Sequence, residues 1–192
     1  MQSREGQRFL EECTSRAAYD ALWPHFYTQR GATTCGPCSL SMVLNALKLP
    51  LDAAVLWDED EVLARAPDMA DKVRTRGCTL DEAAGLARAV GVEFVLERTS
   101  TNTAADLMLD ALRRAPESLV LLNYHMSTAG QEPFGGHFSP LAAYHEGSDR
   151  FLVLDCWPAT EPSWLDAGRL CAAVARPDPE AGLPRGLMRL SR

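Results

Sequence analysis

Thr28-Gln-Arg-Gly-Ala-Thr-Thr34, running into Cys35-Gly-Pro-Cys-Ser-Leu-Ser-Met-Val-Leu-Asn-Ala-Leu47, decides how the rest of the chain is read. The first seven residues are polar and carry no strand pattern. From Ser39 onward the segment is apolar on most faces of a helix, which predicts a helix buried nearly all round with Cys35 in its first turn. A cysteine in that position meets unsatisfied backbone N–H groups and the positive end of the helix dipole, and both favour thiolate over thiol. Such a nucleophile needs a base or cation as partner, and donors for the charge that develops on an attacked carbonyl.

Upstream, Phe9, Leu10, Cys13, Ala17 and Leu22 fall at helical spacings, predicting one amphipathic helix over 8–22 that Trp23-Pro24 ends. Downstream, helices are expected over 58–65 and 80–90, the second opened by Thr79 with Glu82 at the capping-box position and closed by Gly91. Residues 92–96 alternate as a strand, 103–114 read as a helix, and 118–124 form a nearly continuous apolar strand. Then the period changes. Residues 137–144, a turn at Glu146-Gly-Ser-Asp149 and residues 150–155 make a candidate antiparallel hairpin. A helix over 165–174, a loop over 176–184 and a strand over 186–190 finish the chain. Helices first, an antiparallel sheet afterwards and no dividing linker predict a single α+β domain over 1–192.

Composition narrows the function classes. Twenty-six acidic against nineteen basic side chains give a formal charge of −7, and no basic stretch is long enough to track a phosphate backbone, which argues against nucleic acid as a partner. No segment approaches the ~18 apolar residues of a membrane span, and the N-terminus has no run fit for a signal peptide. A cytoplasmic location is therefore expected, with the six cysteines as thiols.

The partners that Cys35 requires are present. His137 opens one strand of the hairpin and Asp155 ends the other, so pairing across the turn sets the two side chains at one end of the sheet. Gln29, six residues before Cys35, carries an amide NH₂ on the loop that leads into the helix. Cys, His, Asp and Gln are the parts of a papain-like site.

Around these four residues the sequence resembles the phytochelatin synthase family. The resemblance rests on Gln29 ahead of Cys35-Gly36, the helix to Leu47, Gly136-His-Phe-Ser-Pro140, and Leu154-Asp155 followed by Trp164, and runs from Glu5 to Ser191. It implies a papain-like fold. It also implies that Cys35 attacks the Cys–Gly bond of glutathione, that glycine leaves, and that the γ-glutamylcysteinyl group passes to water or a second glutathione. In this reading His137 transfers the protons, Asp155 holds the imidazole, and Gln29 with backbone N–H groups stabilises the oxyanion. Asp178 and Arg185 match positions where the family recognises the γ-glutamyl head group; an Asp for its ammonium and an Arg for its carboxylate is also what the chemistry requires. Family members that make long phytochelatins have a second, Cys-rich domain, and plant members place extra cysteines where this chain has Gly85 and Ala89. The chain thus resembles the short prokaryotic members, with hydrolysis as the main expected reaction and no second acylation site. No cofactor and no protein-held metal are expected; divalent zinc or cadmium enters as a thiolate complex of glutathione or a related γ-glutamyl thiol. A homodimer is compatible with this reading.

Three rivals are weighed against it. Peptidases of the bacteriocin-leader, C39-like type use Gln, Cys-Gly, His and Asp in the same order, and an acyltransferase on another thiol-containing amide would need the same parts. Cys35-Gly-Pro-Cys38 also spells the dithiol of thioredoxin-like redox proteins, but that motif follows an apolar strand and an aromatic residue, which Thr28–Thr34 lacks. Cys38 is read as core packing, with a reversible disulfide to Cys35 as the alternative. Cys13, Cys78, Cys156 and Cys171 supply no second C-x₂-C pair for zinc. His25, His125 and His145 are assigned no role, and Trp157 and Trp164 are read as packing.

Overall fold

The computed structural model describes residues 3–49, 56–132 and 135–191. Its N-terminal part is helical, with α1 (Arg4–Glu12), α2 (Ala17–Leu22), α3 (Cys35–Ala46), α4 (Glu59–Ala64), α5 (Pro67–Arg76) and α6 (Leu80–Val90). The single helix expected over 8–22 is two. Cys13 caps α1 in an extended conformation and Ser15 pairs as a β-bridge with Tyr144, which commits to a strand the backbone groups that a continuous helix would use. Helix α5 escapes the sequence reading because its face is largely polar. Its signals are Pro67 in the first turn and Arg74 and Arg76 in the last. The capping box of Thr79 and Glu82 and the left-handed cap at Gly91 (φ +79°) bound α6 as expected.

Next come β1 (Glu93–Glu97), α7 (Thr101–Arg113), β2 (Ser118–His125), α8 (Met126–Ala129), β3 (Gly136–His145), β4 (Arg150–Val153), β5 (Ser163–Asp166), α9 (Ala167–Ala175) and β6 (Gly186–Ser191). The sheet runs β1-β6-β2-β3-β4-β5 with every neighbouring pair antiparallel. The expected hairpin is β3–β4, with an irregularity in register between Leu141 and Ala143. The helix expected from 165 begins at Ala167 instead. Residues 163–166 extend the sheet as β5, where Leu165 is buried opposite Phe151, and the Asp166 side chain caps α9 by accepting from Arg169 N–H. The class is α+β, although α7 and α9 are interleaved with strands rather than preceding them.

Helix α3 is the organising element. Every residue from Gly36 to Ala46 is buried, against β2, β3, α4 and α6. A helix sealed on all sides must satisfy its polar side chains internally, and it does. Ser39 donates to the Phe138 carbonyl at 3.0 Å, Ser41 donates to the Cys38 carbonyl at 2.8 Å and meets Tyr27 Oη at 2.7 Å, and Asn45 pairs both ways with the Trp57 backbone. The Ser39 bond ties the first turn of α3 to the strand that carries His137.

Candidate active site

Cys35 begins α3, where the N–H groups of Gly36 and Phe138 reach its sulfur. Burial pushes the thiol up; the charge and hydrogen bond of His137, with those two N–H groups, outweigh it and hold Cys35 below the ordinary thiol range. His137 shows the complement. Burial opposes its charge, but Cys35 and the hydrogen bond to Asp155 hold the imidazole well above its ordinary range. The geometry thus favours a thiolate–imidazolium pair.

The sheet delivers the rest. His137 faces Tyr124 in the β2–β3 register, with the Tyr124 ring edge-on to the imidazole at 5.8 Å. Leu154 N–H donates to the Pro140 carbonyl at 3.0 Å, which carries the β3–β4 pairing one step further and sets Asp155 beside His137. Asp155 is 0% exposed, and its carboxylate accepts from His137 Nε2 at 2.9 Å, Trp157 N–H at 2.9 Å and Gln131 Nε2 at 2.7 Å. Burial alone would raise its carboxyl; the imidazole, the Trp157 N–H and the Thr160 side chain hold it below the usual carboxylate range. Because Nε2 is committed to Asp155, Nδ1 is the ring nitrogen left for Cys35.

Gln29 is buried, 3% exposed, on the loop that leads into α3. Its N–H donates to the Cys156 carbonyl at 2.8 Å, its Oε1 accepts from Cys156 Sγ at 3.4 Å, and its Nε2 donates to the Gly31 carbonyl at 2.7 Å. An amide NH₂ has two protons, so one donor remains for a developing oxyanion.

A cleft of about 290 Å³ opens over Cys35 and His137, lined also by Cys78, Trp157, Asp178 and Arg185 among others, while Asp155 and Gln29 lie outside its lining. Asp178 and Arg185, in a segment that reads as a solvated loop, are both buried and bridge at 2.9 Å. The loop folds inward because Pro177 and Pro184 pair as a bridge, with Asp178 N–H bound to the Leu183 carbonyl and Gly182 N–H to the Asp178 carbonyl. Arg185 also donates to Asn123 Oδ1 at 2.8 Å. A side chain at Gly136, the first residue of β3, would overlap the Arg185 guanidinium, so the cation occupies space that only glycine leaves open.

Sequence reasoning missed Gln131, just after α8, and Asn123, on β2, which hold Asp155 and Arg185, and the contact of Cys156 with Gln29. It also missed Cys78 as a wall of the cleft. Burial and the negative charge of Cys35 push the Cys78 thiol well up, so it remains protonated beside the thiolate. Cys38 packs in the core against Met42 and Cys156, away from the cleft lining, and all six cysteines are free. A larger hollow of about 570 Å³ lined by Arg114, Glu117, Ser118 and Arg189 has no cysteine or histidine in its lining.

The sequence model of the phytochelatin synthase family matches residues 1–187. Glutathione gamma-glutamylcysteinyltransferase 1 of Triticum aestivum is 30% identical over 99% of this chain and 40% of its own length. The corresponding protein of Schizosaccharomyces pombe is 26% identical over 90% of this chain and 43% of its own. The chain thus spans about 40% of the length of the curated relatives it matches. Among solved structures, the peptidase domain of Streptococcus ComA superposes with a TM-score of 0.56 at 12% identity, covering 86% of this chain and 96% of that one. A protein described as a C39-like peptidase from Bacillus anthracis superposes at 0.57 and 11% identity, covering 94% and 96%. These two likenesses show the fold: that of the papain-like, C39-type cysteine peptidases.

Proposed function

Because this chain belongs to the phytochelatin synthase family, we propose that it cleaves the Cys–Gly peptide bond of glutathione through an acyl-enzyme on Cys35. The observation that carries the reading is the meeting of Cys35 and His137 at one cleft that a buried Asp178–Arg185 pair also lines, with Asp155 bound to the imidazole. The Cys35 thiolate adds to the carbonyl carbon of the cysteine residue, and the oxyanion that forms is met by the remaining Gln29 N–H and backbone donors at the start of α3. His137 gives its proton to the departing glycine nitrogen, the C–N bond breaks, and a γ-glutamylcysteinyl thioester remains. The imidazole, now neutral, takes a proton from water or from the amine of a second glutathione, whose attack frees Cys35. Asp178 faces the substrate ammonium and Arg185 the α-carboxylate of the γ-glutamyl head group. A divalent metal belongs to the substrate as its thiolate complex. Among the described residues no three His, Cys, Asp or Glu side chains cluster as metal ligands do. We place the enzyme in the cytoplasm, where six free thiols persist; no described helix is long and apolar enough to cross a membrane.

The test is mass spectrometry of glutathione incubated with the protein. γ-Glutamylcysteine and free glycine are expected, with a (γ-glutamylcysteinyl)₂-glycine product to the extent that transfer competes with water. Untouched glutathione, together with Cys35 acylated by a leader-type peptide, overturns this reading in favour of a C39-like peptidase.

Gly136→Ala probes the head-group site without touching the reacting atoms. Its methyl group displaces the Arg185 guanidinium, so KM for glutathione should rise by on the order of tenfold, about 1.4 kcal/mol of binding, with kcat little changed. Steady-state kinetics decide. An equal fall in kcat at constant KM would separate Arg185 from ground-state recognition.

A further inference from the structure

We propose that Arg76 is a specificity-determining residue: it receives the carboxylate of the glycine that leaves. The inference rests on the reaction proposed above and follows from a charge balance around the cleft. Of the charged groups lining it, Asp178 and Arg185 bridge each other, and Glu180 is bridged by Lys72 at 2.9 Å. Cys35 and His137 form the reacting pair. Arg76 lines the same cleft, is exposed, and takes part in no hydrogen bond or ion pair among the described residues. Arg74, two residues before it, bridges Asp60 at 3.3 Å. The substrate poses the matching problem, because glutathione carries one ammonium and two carboxylates at neutral pH. Asp178 and Arg185 account for the ammonium and one carboxylate; the remaining carboxylate is met by the remaining cation.

Local structure holds Arg76 at the rim. It is the last residue of α5, and Gly77 turns the chain at φ +79° with its N–H on the Val73 carbonyl, so that Cys78 enters the cleft wall directly after it. The Thr33 hydroxyl donates to the Arg74 carbonyl at 2.8 Å, fixing the end of α5 to the loop that leads into Cys35. Burial also divides the two arginines by task. Arg185 is 4% exposed and suits the half of the substrate retained through the acyl-enzyme, whereas a solvated cation suits the half that binds and then diffuses away.

The contact is the same in ground and transition states and is gone once glycine departs, so it acts on acylation, which kcat/KM reports. The experiment compares glutathione with its glycine-ethyl monoester for the full chain, Arg76→Ala and Arg76→Glu, following release of γ-glutamylcysteine. The ratio of kcat/KM for acid over ester should fall about fivefold in Arg76→Ala and further in Arg76→Glu, while the values for the ester stay within about twofold. A ratio that survives Arg76→Ala, or an equal loss on both substrates, overturns the assignment. Failure of the unsubstituted protein to cleave either compound overturns the reaction itself, and the role of Arg76 with it.

Discussion

Cys35→Ser is expected to lower kcat/KM for glycine release by on the order of 10⁴–10⁶, the loss seen when a hydrolase loses its nucleophile. The fold should persist, because the hydroxyl is smaller than the thiol and its surroundings are polar on one side. What is lost is ionisation. His137, the Gly36 and Phe138 N–H groups and the start of α3 together outweigh burial and favour the thiolate; a hydroxyl has far too high a pKa for the same groups to ionise. The same pair fixes the pH profile of the unsubstituted enzyme. On the acid side, activity appears as Cys35 loses its proton, below the ordinary thiol range. On the alkaline side it disappears as His137 loses the proton that glycine needs, above the ordinary imidazole range. Measuring kcat/KM against pH for the enzyme and single turnover for Cys35→Ser checks both statements. A serine variant that keeps more than about 1% of activity would place the nucleophile elsewhere.

The parts of this site that were legible in the sequence are those that local rules write. Cys35 could be placed because a helix apolar on most faces has one definable beginning. His137 and Asp155 could be joined because hairpin pairing is a two-body problem set by one turn. The break between α1 and α2 was not legible, since it depends on Ser15 pairing with a strand more than a hundred residues away. For the same reason the helix expected over 165–174 takes in the end of β5: the edge of β4, and no local pattern, decides what 163–166 become. Asp178 and Arg185 sit among prolines that suggest solvent. Their burial comes from the Pro177–Pro184 bridge and from Asn123 on β2, neither of which leaves a sequence pattern. Gln131 and Arg76 follow the same logic, because whether a polar side chain has found a partner is a property of the assembled fold.

Asp155→Asn should lower kcat/KM by about 10²–10⁴, less than the loss of Cys35, and narrow the pH profile from both ends. The asparagine can keep its oxygen toward His137 Nε2 and Trp157 N–H, which now bind Asp155 Oδ1 at 2.9 Å each. Its new NH₂ then faces Gln131 Nε2, which donates to Asp155 Oδ2 at 2.7 Å. Two donors opposed in a buried site repel, but a flip of the Gln131 amide brings round its Oε1, which is buried without a partner among the described residues, and restores the bond. The variant should therefore fold with little change in thermal midpoint, and its loss of activity is the loss of a charge. Without the carboxylate, one support for imidazolium is gone, so the alkaline limit moves to lower pH. A less persistent imidazolium in turn holds the Cys35 thiolate less firmly, so the acid limit moves up. Asp155→Ala differs in kind. It leaves the His137, Trp157 and Gln131 donors unpaired at about 1–3 kcal/mol each, and lowers stability as well as activity. An Asn variant with unshifted pH limits and full turnover would show that the carboxylate charge plays no part in holding the thiolate–imidazolium pair.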